Sequence, residues 1–392
     1  MKTKLINLIK YNRTIYSIYY HVMSFAINVL KLFVKPDSKL ILFNSFAGRR
    51  YDDSPKEIFE CIKSDNRFED YKLVWAFHNP QLFRVEGAQV IKTDGFKYFT
   101  TALKARVWIT NSSVERGLNF KGKNTFYLNT WHGTPLKKMG SDIADNNTSF
   151  DTKSDNKFDA MNAQSRFEAD IFSRVFQIPR DRFLEVGLPR NDRLCNYTQE
   201  EMWEIREKLD IPLNKKVILY CPTFREYEKD ENNGCVLAPP MNLKYWEETL
   251  GDNYVLLFRA HYEVAKVMDI EENNFVHNKT DYPSLNELMI VTDILISDYS
   301  SVFFDFSVMD KVMLHFTYDF DKYCSLRGMY FDIRNYISGA SKEEDLVEYI
   351  QNIDCEKEID KTRSFRSKFV NYSGKATEQT VEYLARKLEI LG

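Results

Sequence analysis

Residues 291–309 read VTDILISDYSSVFFDFSVM, and this stretch decides the class of fold. Its first part is a short apolar run that predicts a strand over Val291–Ser297. A polar turn follows, and apolar residues at helical spacing then predict a helix over Ser301–Met309. A strand that leads through a turn into an amphipathic helix is the repeating unit of proteins built on parallel sheets.

The same alternation runs through both halves of the chain. Strands are predicted at Lys39–Phe46, Tyr71–Phe77, Ala88–Lys92, Arg106–Thr110, Thr125–Trp131, Lys216–Pro222, Tyr254–Arg259 and Val312–Phe316, with helical patterns between them. We therefore predict an α/β protein with two Rossmann-like domains, residues 37–195 and 210–375. An amphipathic segment at residues 1–36 precedes them, and a C-terminal helix at residues 376–392 follows.

The composition excludes several classes of function. The chain has 392 residues, of which 44% are hydrophobic, so it can form two full cores. Its 14 glycines include no G-x-G, so the dinucleotide-binding fingerprint is absent, and no complete Walker phosphate loop, G-x-x-x-x-G-K-[ST], occurs either. The six cysteines form no C-x-x-C pair, which indicates reduced thiols in a cytoplasmic protein. Lysines and arginines outside the N-terminal segment are mixed with acids, so nucleic acid is not an expected partner.

The net charge of −3 is unevenly distributed. The first 36 residues carry a charge of +6 with no acid, and the remainder carries −9. The weakly polar stretch Val22–Val34 is shorter than the ~20 apolar residues that a bilayer span needs. A basic helix rich in Tyr and Phe is typical of segments that lie on an anionic membrane surface. We therefore predict a peripheral protein on the cytoplasmic face of the membrane; the alternative is a helix packed on its own domain.

Polar side chains directly follow four predicted strands, where ligands bind in parallel sheets. His132 follows the predicted strand Thr125–Trp131, and Thr223 and Arg225 follow Lys216–Pro222. Arg259 and His261 stand at the end of Tyr254–Arg259, and Asp298, Ser300 and Ser301 follow Val291–Ser297. Imidazole, guanidinium and hydroxyl groups gathered at strand ends are typical of a phosphate or pyrophosphate site with an acid/base group attached.

Each of these groups has a structural alternative. His132 precedes a glycine and could take a proton from an attacking hydroxyl, or it could be a hydrogen-bonded core histidine. Arg259 and His261 could neutralise charge on a bridging phosphate oxygen, or Arg259 could form an arginine–carboxylate pair. Ser300 and Ser301 open an apolar helix, as an ordinary cap or as an anion site. Asp305, one turn into that helix, could orient Ser301 or have a structural role.

A metal site is not indicated by the spacing of the ligands. Asp319-Phe320-Asp321 forms a D-x-D motif, which holds a divalent metal in some nucleotide-sugar enzymes, but no third ligand is suggested nearby. We therefore predict no metal ligands and no cofactor, and leave open whether a divalent cation such as Mg²⁺ is used.

Five motifs occur in a fixed order. They are Thr130-Trp131-His132-Gly133-Thr134-Pro135-Leu136-Lys137, Gly187-Leu188-Pro189-Arg190-Asn191-Asp192, Tyr220-Cys221-Pro222-Thr223-Phe224-Arg225, Arg259-Ala260-His261 and Ser297-Asp298-Tyr299-Ser300-Ser301-Val302-Phe303-Phe304-Asp305-Phe306. Together they resemble the CDP-glycerol glycerophosphotransferase family of wall teichoic acid and capsule synthesis over roughly residues 38–380.

The resemblance implies a GT-B-like architecture with an N-terminal acceptor domain, a C-terminal donor domain and a cleft between them. It implies that His132 is the base and that His261 binds the donor phosphate, so both are candidate catalytic residues. It also implies donor-binding roles for Arg225, Ser300 and Ser301. We add Thr223, Arg259, Asp298 and Asp305 to the donor side. Gly133, Thr134 and Lys137 are predicted on the acceptor side.

The predicted function is transfer of an alditol phosphate, glycerol phosphate first, from CDP-glycerol to a hydroxyl of a lipid-linked acceptor, with release of CMP. The predicted acceptor is a polyprenyl-pyrophosphate-linked saccharide, and a homo-oligomer is left open. One alternative is a CDP-ribitol or capsular alditol-phosphate transferase. More distant alternatives are a GT-B nucleotide-sugar glycosyltransferase and a catalytically silent membrane-bound scaffold.

Overall fold

A computed structural model describes residues 12–143, 157–223, 225, 229–230, 234–235, 239–260 and 270–389. The chain divides into two compact units. The first unit comprises residues 1–132, 140–192 and 375–392, and the second comprises residues 133–139 and 193–374. Each unit contains one all-parallel sheet, so the predicted α/β class is confirmed. Two segments differ from the predicted domain limits, since residues 133–139 belong to the second unit and the C-terminal helix belongs to the first.

The sheet of the first unit has the order β3-β2-β1-β4-β5-β6-β7 among the described residues. Its strands are β1 (Asp37–Asn44), β2 (Lys72–Phe77), β3 (Gln89–Lys92), β4 (Ala105–Thr110), β5 (Phe126–Asn129), β6 (Ala160–Ala163) and β7 (Phe183–Glu185). The helices are α1 (Arg13–Lys31), α2 (Asp53–Ser64), α3 (Phe96–Lys104), α4 (Arg166–Phe176) and the C-terminal α13 (Ala376–Lys387). Because all strands are parallel, their carboxyl ends form a single edge of the sheet.

Continuous apolar runs make these strands the centre of the first unit. Phe43 of β1 stacks on Trp75 of β2 with ring centroids 5.5 Å apart, and both side chains are fully buried. Phe59 of α2 packs edge-on against both rings. Burial of each such aromatic side chain contributes about 1.5–3 kcal/mol, so this face of the sheet forms a stable platform.

Helix α1 packs on the first unit along one face and exposes apolar side chains on the other. Asn28 Nδ2 donates to the carbonyl oxygen of Asn119 at 2.7 Å, and the main-chain N–H of Asn119 donates to Ser24 Oγ at 3.0 Å. The exposed apolar residues of this region are Ile18, Tyr19, Val22, Phe25, Val29, Leu32 and Phe33. Within the described residues, no helix combines the length and apolar character that a membrane crossing requires. The alternative prediction, that the N-terminal helix packs on its own domain, is thus correct for the face of α1 that contains Ser24 and Asn28.

The sheet of the second unit has the order β12-β11-β8-β13-β14-β15 among the described residues. Its strands are β8 (Lys216–Cys221), β11 (Tyr254–Phe258), β12 (Val276–Asn278), β13 (Ile294–Ser297), β14 (Val312–Phe316) and β15 (Ser338–Ala340). A separate antiparallel pair joins β9 (Lys229–Asp230) and β10 (Gly234–Cys235). The short helix α5 (Asp192–Asn196) contains the boundary between the units.

The helices that flank this sheet are α6 (Gln199–Lys208), α7 (Leu243–Leu250), α8 (Leu285–Val291), α9 (Val302–Phe306), α10 (Phe320–Arg327), α11 (Glu343–Gln351) and α12 (Cys355–Phe369). The core on one face joins strand residues such as Ile218 and Leu256 with Trp246 of α7 and Leu346 of α11. The predicted strand over Val291–Ser297 is shorter in the structure, because Val291 is the last residue of α8 and β13 starts at Ile294.

Candidate active site

Buried polar side chains line the carboxyl edge of the first sheet. They are Asn44 and Ser45 at the end of β1, Thr110 and Asn111 at the end of β4, Asn129 and Thr130 at the end of β5, and Gln164 and Ser165 after β6, and every one has 0% exposure. Burying so many polar groups is costly unless they are hydrogen-bonded. The concentration at one edge marks this part of the first unit as a candidate acceptor site.

His132 stands at this edge with one ring nitrogen fixed. Its Nδ1 lies 2.7 Å from the carbonyl oxygen of Asn111. A carbonyl oxygen only accepts, so Nδ1 carries the proton in the neutral ring and Nε2 keeps its lone pair. The neighbouring Trp131 has a φ of 49° and stacks on the imidazole with centroids 4.3 Å apart. The backbone and the indole therefore orient the imidazole.

The environment lowers the pKa of His132 from its ordinary value of 6.5. Burial by surrounding protein atoms is the main cause; Arg190 acts in the same direction, while the hydrogen bond to Asn111 and the charge of Asp53 raise the pKa. The His132 side chain nevertheless keeps solvent contact. A neutral imidazole with a free Nε2 is suited to act as a general base near neutral pH.

Asp53 and Arg190 form a buried ion pair that the sequence analysis did not assign to the site. Arg190 Nη1 lies 3.2 Å from Asp53 Oδ2, and the two side chains are 10% and 6% exposed. The main-chain N–H of Arg190 also donates to Ser54 Oγ at 3.3 Å. Asp53 adopts a left-handed φ of 66°, an unfavourable conformation that tends to occur at functional sites. Arg190 lies within a quoted motif, whereas nothing in the sequence singles out Asp53.

The residues that follow His132 belong to the second unit. Gly133, Thr134 and Lys137, predicted on the acceptor side, lie in the segment 133–139. Lys137 forms an antiparallel bridge with Met329. A Cβ added to Gly133 would lie 2.6 Å from Ser301 Oγ, so only glycine allows this approach. Residues 133–139 belong to the second unit, rather than to the predicted first domain, because they pair with the residues that follow α10.

Three predicted donor residues gather after β8 and β13. The N–H of Thr223 donates to Asp298 Oδ1 at 2.9 Å, and Arg225 Nη1 lies 2.8 Å from Asp298 Oδ2. Arg225 is 1% exposed and also pairs with Asp319. The structure therefore places the guanidinium of Arg225 inside the protein against two carboxylates. Thr223 Oγ1 has no hydrogen-bond partner among the described residues.

The serine pair is half-buried at the start of α9. Ser300 Oγ accepts the N–H of Val302 at 3.2 Å, while Ser301 makes no side-chain capping hydrogen bond. Helix α9 has five residues, which is too short for a strong dipole. The structure thus supports Ser300 as a local cap and leaves the Ser301 hydroxyl beside Gly133. Asp305 is buried in α9.

Arg259 follows β11 and is held by main-chain oxygens. Its Nη1 donates to the carbonyl oxygens of Lys279, at 2.8 Å, and of Tyr282. These two hydrogen bonds do not decide between a phosphate ligand and an arginine–carboxylate pair, so both interpretations of Arg259 stay predictions. His261 lies outside the described residues, so its predicted role stays a prediction.

In the D-x-D motif, the first carboxylate is bound by neighbouring side chains. Asp319 accepts from Arg225 Nε at 2.7 Å and from Tyr299 Oη at 3.0 Å, and Asp321 follows in the first turn of α10. In the part of the chain that the structure describes, no three His, Cys, Asp or Glu side chains gather as metal ligands.

Comparison with known proteins identifies the family. The model of the CDP-glycerol:poly(glycerophosphate) glycerophosphotransferase family matches residues 26–386. The chain belongs to this family. It is 33% identical over 341 residues to a teichoic acid glycerol-phosphate transferase of Staphylococcus aureus, covering 83% of this chain and 85% of that protein. It is 31% identical to a teichoic acid poly(glycerol phosphate) polymerase of Bacillus spizizenii, covering 98% of this chain and all of the polymerase.

A solved structure supports the same assignment. The structure of the wall teichoic acid polymerase TagF matches with a TM-score of 0.84 and 30% identity, over 96% of this chain and 97% of that chain. The GT-B-like class predicted for the fold is thereby confirmed. The chain is therefore a glycerophosphotransferase of this family, as the five ordered motifs predicted.

Proposed function

We propose that this enzyme transfers glycerol phosphate from CDP-glycerol to a hydroxyl of a polyprenyl-pyrophosphate-linked saccharide in teichoic acid or related polymer synthesis. The observation that carries the proposal is the hydrogen bond from His132 Nδ1 to the carbonyl oxygen of Asn111, at 2.7 Å. It leaves Nε2 as a proton acceptor at a polar strand-end edge, which an attacking hydroxyl requires.

In the proposed reaction, His132 is the single base that accepts the proton of the attacking hydroxyl. The acceptor hydroxyl oxygen forms a bond to the β-phosphorus, and its proton passes to His132 Nε2. The bond from the β-phosphorus to the bridging oxygen breaks, and CMP leaves with the electron pair. The imidazolium then returns its proton to solvent. Phosphoryl transfer of this kind is accelerated mainly by positioning and by charge stabilisation.

On the donor side, the groups suited to the pyrophosphate are the Thr223 hydroxyl, the Ser301 hydroxyl and His261. Thr223 Oγ1 lacks a hydrogen-bond partner among the described residues, and Ser301 makes no capping bond, so both hydroxyls could donate to phosphate oxygens. Arg259 supports this edge through its bonds to main-chain carbonyls. Asp298 fixes the N–H of Thr223 and would not itself approach an anion. Asp305, buried in α9, supports the helix start.

The exposed apolar side chains of α1 and of the two residues that follow it support a peripheral membrane location. Phe25 and Phe33 are 72% and 81% exposed, and Leu32 is 81% exposed. An apolar helix face of this kind next to a basic N-terminal segment is suited to an anionic bilayer surface, where the lipid-linked acceptor resides. Residence on the cytoplasmic face, where a CDP-activated donor is made, agrees with the reduced cysteines.

The proposal is tested by mass spectrometry of the reaction products. A synthetic lipid-pyrophosphate disaccharide is incubated with the enzyme and CDP-glycerol, CDP-ribitol or a UDP-sugar, each in a separate reaction. Addition of glycerol phosphate units with equimolar CMP is expected, and the number of units separates a single addition from polymerisation. Addition of ribitol phosphate alone would favour the CDP-ribitol alternative, and sugar transfer with UDP release would contradict the proposal.

A further inference from the structure

We propose that Arg225 is a positioning residue that binds no ligand itself, but clamps three strand ends of the second unit and compensates two carboxylates beside the donor pyrophosphate. The inference rests on the proposed function, because it assumes that the donor binds at this edge. It differs from the expectation that Arg225 contacts the donor directly.

The hydrogen bonds of Arg225 are directed into the protein. Nε and Nη2 donate to the two carboxylate oxygens of Asp319 at 2.7 and 2.9 Å. Nη1 lies 2.8 Å from Asp298 Oδ2 and donates to the carbonyl oxygen of Thr223 at 2.7 Å. A bidentate pair plus a second carboxylate is among the strongest arrangements that a guanidinium forms. With a side chain only 1% exposed, Arg225 could reach a ligand only by breaking these bonds.

Three tyrosine rings complete the surroundings of the guanidinium. Its central carbon lies 5.0 Å from the ring centroids of Tyr299 and Tyr323 and 5.1 Å from that of Tyr318. Tyr299 and Tyr323 also stack on each other, with centroids 3.9 Å apart. Cation–π contacts with these three rings, in a buried site, hold the guanidinium in one position. Lysine could keep the charge there but not the forked hydrogen bonds.

The groups that Arg225 joins come from neighbouring strands of the sheet. Thr223 follows β8, Asp298 follows β13, and Asp319 follows β14, and these three strands are adjacent in the order β8-β13-β14. Asp298 also accepts the N–H groups of Thr223 and Tyr299. Arg225 therefore fixes the main chain just before Ser300 and beside the Thr223 hydroxyl, the two places where we expect the pyrophosphate to bind.

The second role of Arg225 is to compensate the negative charges of Asp298 and Asp319. Asp298 is 0% exposed and Asp319 is 10% exposed, so water screens their charges poorly. Without Arg225, Asp298 and Asp319 would lose the guanidinium at an edge that, in the proposed function, binds a doubly charged pyrophosphate. The guanidinium reduces this local charge from −2 to −1 and shields the donor from repulsion.

The test compares binding of CDP-glycerol to the whole protein by isothermal titration calorimetry, with circular dichroism as the check of folding. Arg225→Gln is expected to weaken binding at least tenfold. Adding Asp319→Asn to that variant removes the repelling carboxylate but not the loss of positioning, so it is expected to restore part of the affinity. Arg225→Lys, which keeps the charge, is expected to lie between the wild type and Arg225→Gln.

The outcomes separate the inference from the proposed function. A folded Arg225→Gln variant with wild-type affinity would overturn the inference, and so would a double variant as weak as the single one. If Arg225→Gln fails to fold, Arg225→Lys decides, since the inference expects this variant, once folded, to bind CDP-glycerol more weakly than the wild type, and equal affinity would overturn it. A wild-type protein that binds no CDP-glycerol would overturn the proposed function and the inference with it.

Discussion

The Nδ1 atom of His132 lies 2.7 Å from the main-chain carbonyl oxygen of Asn111. In many hydrolases the equivalent nitrogen is held by a carboxylate, which stabilises the imidazolium as it forms. Here an uncharged carbonyl fixes the tautomer, and the nearest charges that act on the ring belong to Asp53 and Arg190. The basicity of His132 therefore depends mainly on its burial and on the bond to Asn111, and the ion pair adjusts it further.

Replacing Asp53 with asparagine tests that balance. Asparagine tolerates the left-handed φ of 66°, so the backbone is expected to persist while the negative charge is lost. Because Asp53 raises the pKa of His132, Asp53→Asn should lower it further, measured by NMR titration of the imidazole. The acid limb of kcat/KM, which reports protonation of the base, should shift to lower pH by the same amount as the His132 pKa.

Asp94→Asn is the matched control for this variant. Asp94 also has a left-handed φ, of 62°, and also pairs with an arginine, Arg116, at 2.8 Å. This pair is more exposed and does not act on His132. An unchanged or higher His132 pKa in Asp53→Asn would show that the ion pair does not tune the base.

Gly133→Ala tests the close approach to Ser301. The new Cβ would lie 2.6 Å from Ser301 Oγ and 2.9 Å from its Cβ, so the serine or the 133–139 segment must shift. We expect a loss of about 1–3 kcal/mol in the free energy of unfolding and a larger KM for the donor. Gly95→Ala is the control, since nothing lies within 4 Å of its added Cβ. Equal behaviour of the two variants would refute the steric account.

His315 should make stability depend on pH. Burial lowers its pKa from 6.5 to about 4, so the unfolded chain takes up a proton at a higher pH than the folded protein. The stabilisation is present above pH 6.5 and is lost as the pH falls toward about 4, by roughly 1.4 kcal/mol per pH unit. Urea unfolding at pH 6.5 and 5 should show a loss about 2 kcal/mol larger in the wild type than in His315→Gln. Equal losses of unfolding free energy in the two proteins would contradict a lowered pKa of His315 in the folded state.

Binding to membranes should depend on the exposed apolar side chains of α1 and of Phe33, which follows the helix. Phe25→Ser combined with Phe33→Ser removes two large exposed apolar side chains and leaves the hydrogen bonds of Asn28 to the first unit in place. Partial burial of each ring in lipid is worth about 1 kcal/mol or more, so vesicle affinity should fall at least tenfold. Co-sedimentation with phosphatidylglycerol vesicles measures it, with Leu213→Ser as the control, since Leu213 is 77% exposed on the second unit. Equal vesicle binding by all three proteins would contradict a role for α1.

The sequence predicted the strands with long apolar runs and missed those without one. Strands such as Lys216–Cys221 and Val312–Phe316 are nearly continuous hydrophobic segments, as buried parallel strands must be. Strands β6, β7, β12 and β15 have three or four residues each, and sequences such as Ser338–Ala340 carry no strand pattern. Their pairing is set by neighbouring strands rather than by their own residues.

The candidate site was only partly predictable for a similar reason. His132 and Ser301 follow apolar runs directly, so position along the chain identified them. Asp53 reaches the site only through a left-handed backbone turn before α2. Arg225 carries the right chemistry for phosphate, but its orientation toward Asp298 and Asp319 depends on contacts between three strand ends. Such contacts follow from the fold and are not visible in the order of residues.

The most direct test of the central claim is a comparison of His132→Gln with the wild type. CMP release from CDP-glycerol is measured with the lipid-linked acceptor, and binding of CDP-glycerol is measured on the same preparations. If His132 is the general base, turnover should fall by about 10²–10⁴-fold while donor affinity stays within about threefold of the wild type. Turnover close to that of the wild type would contradict the assignment of His132 as the base.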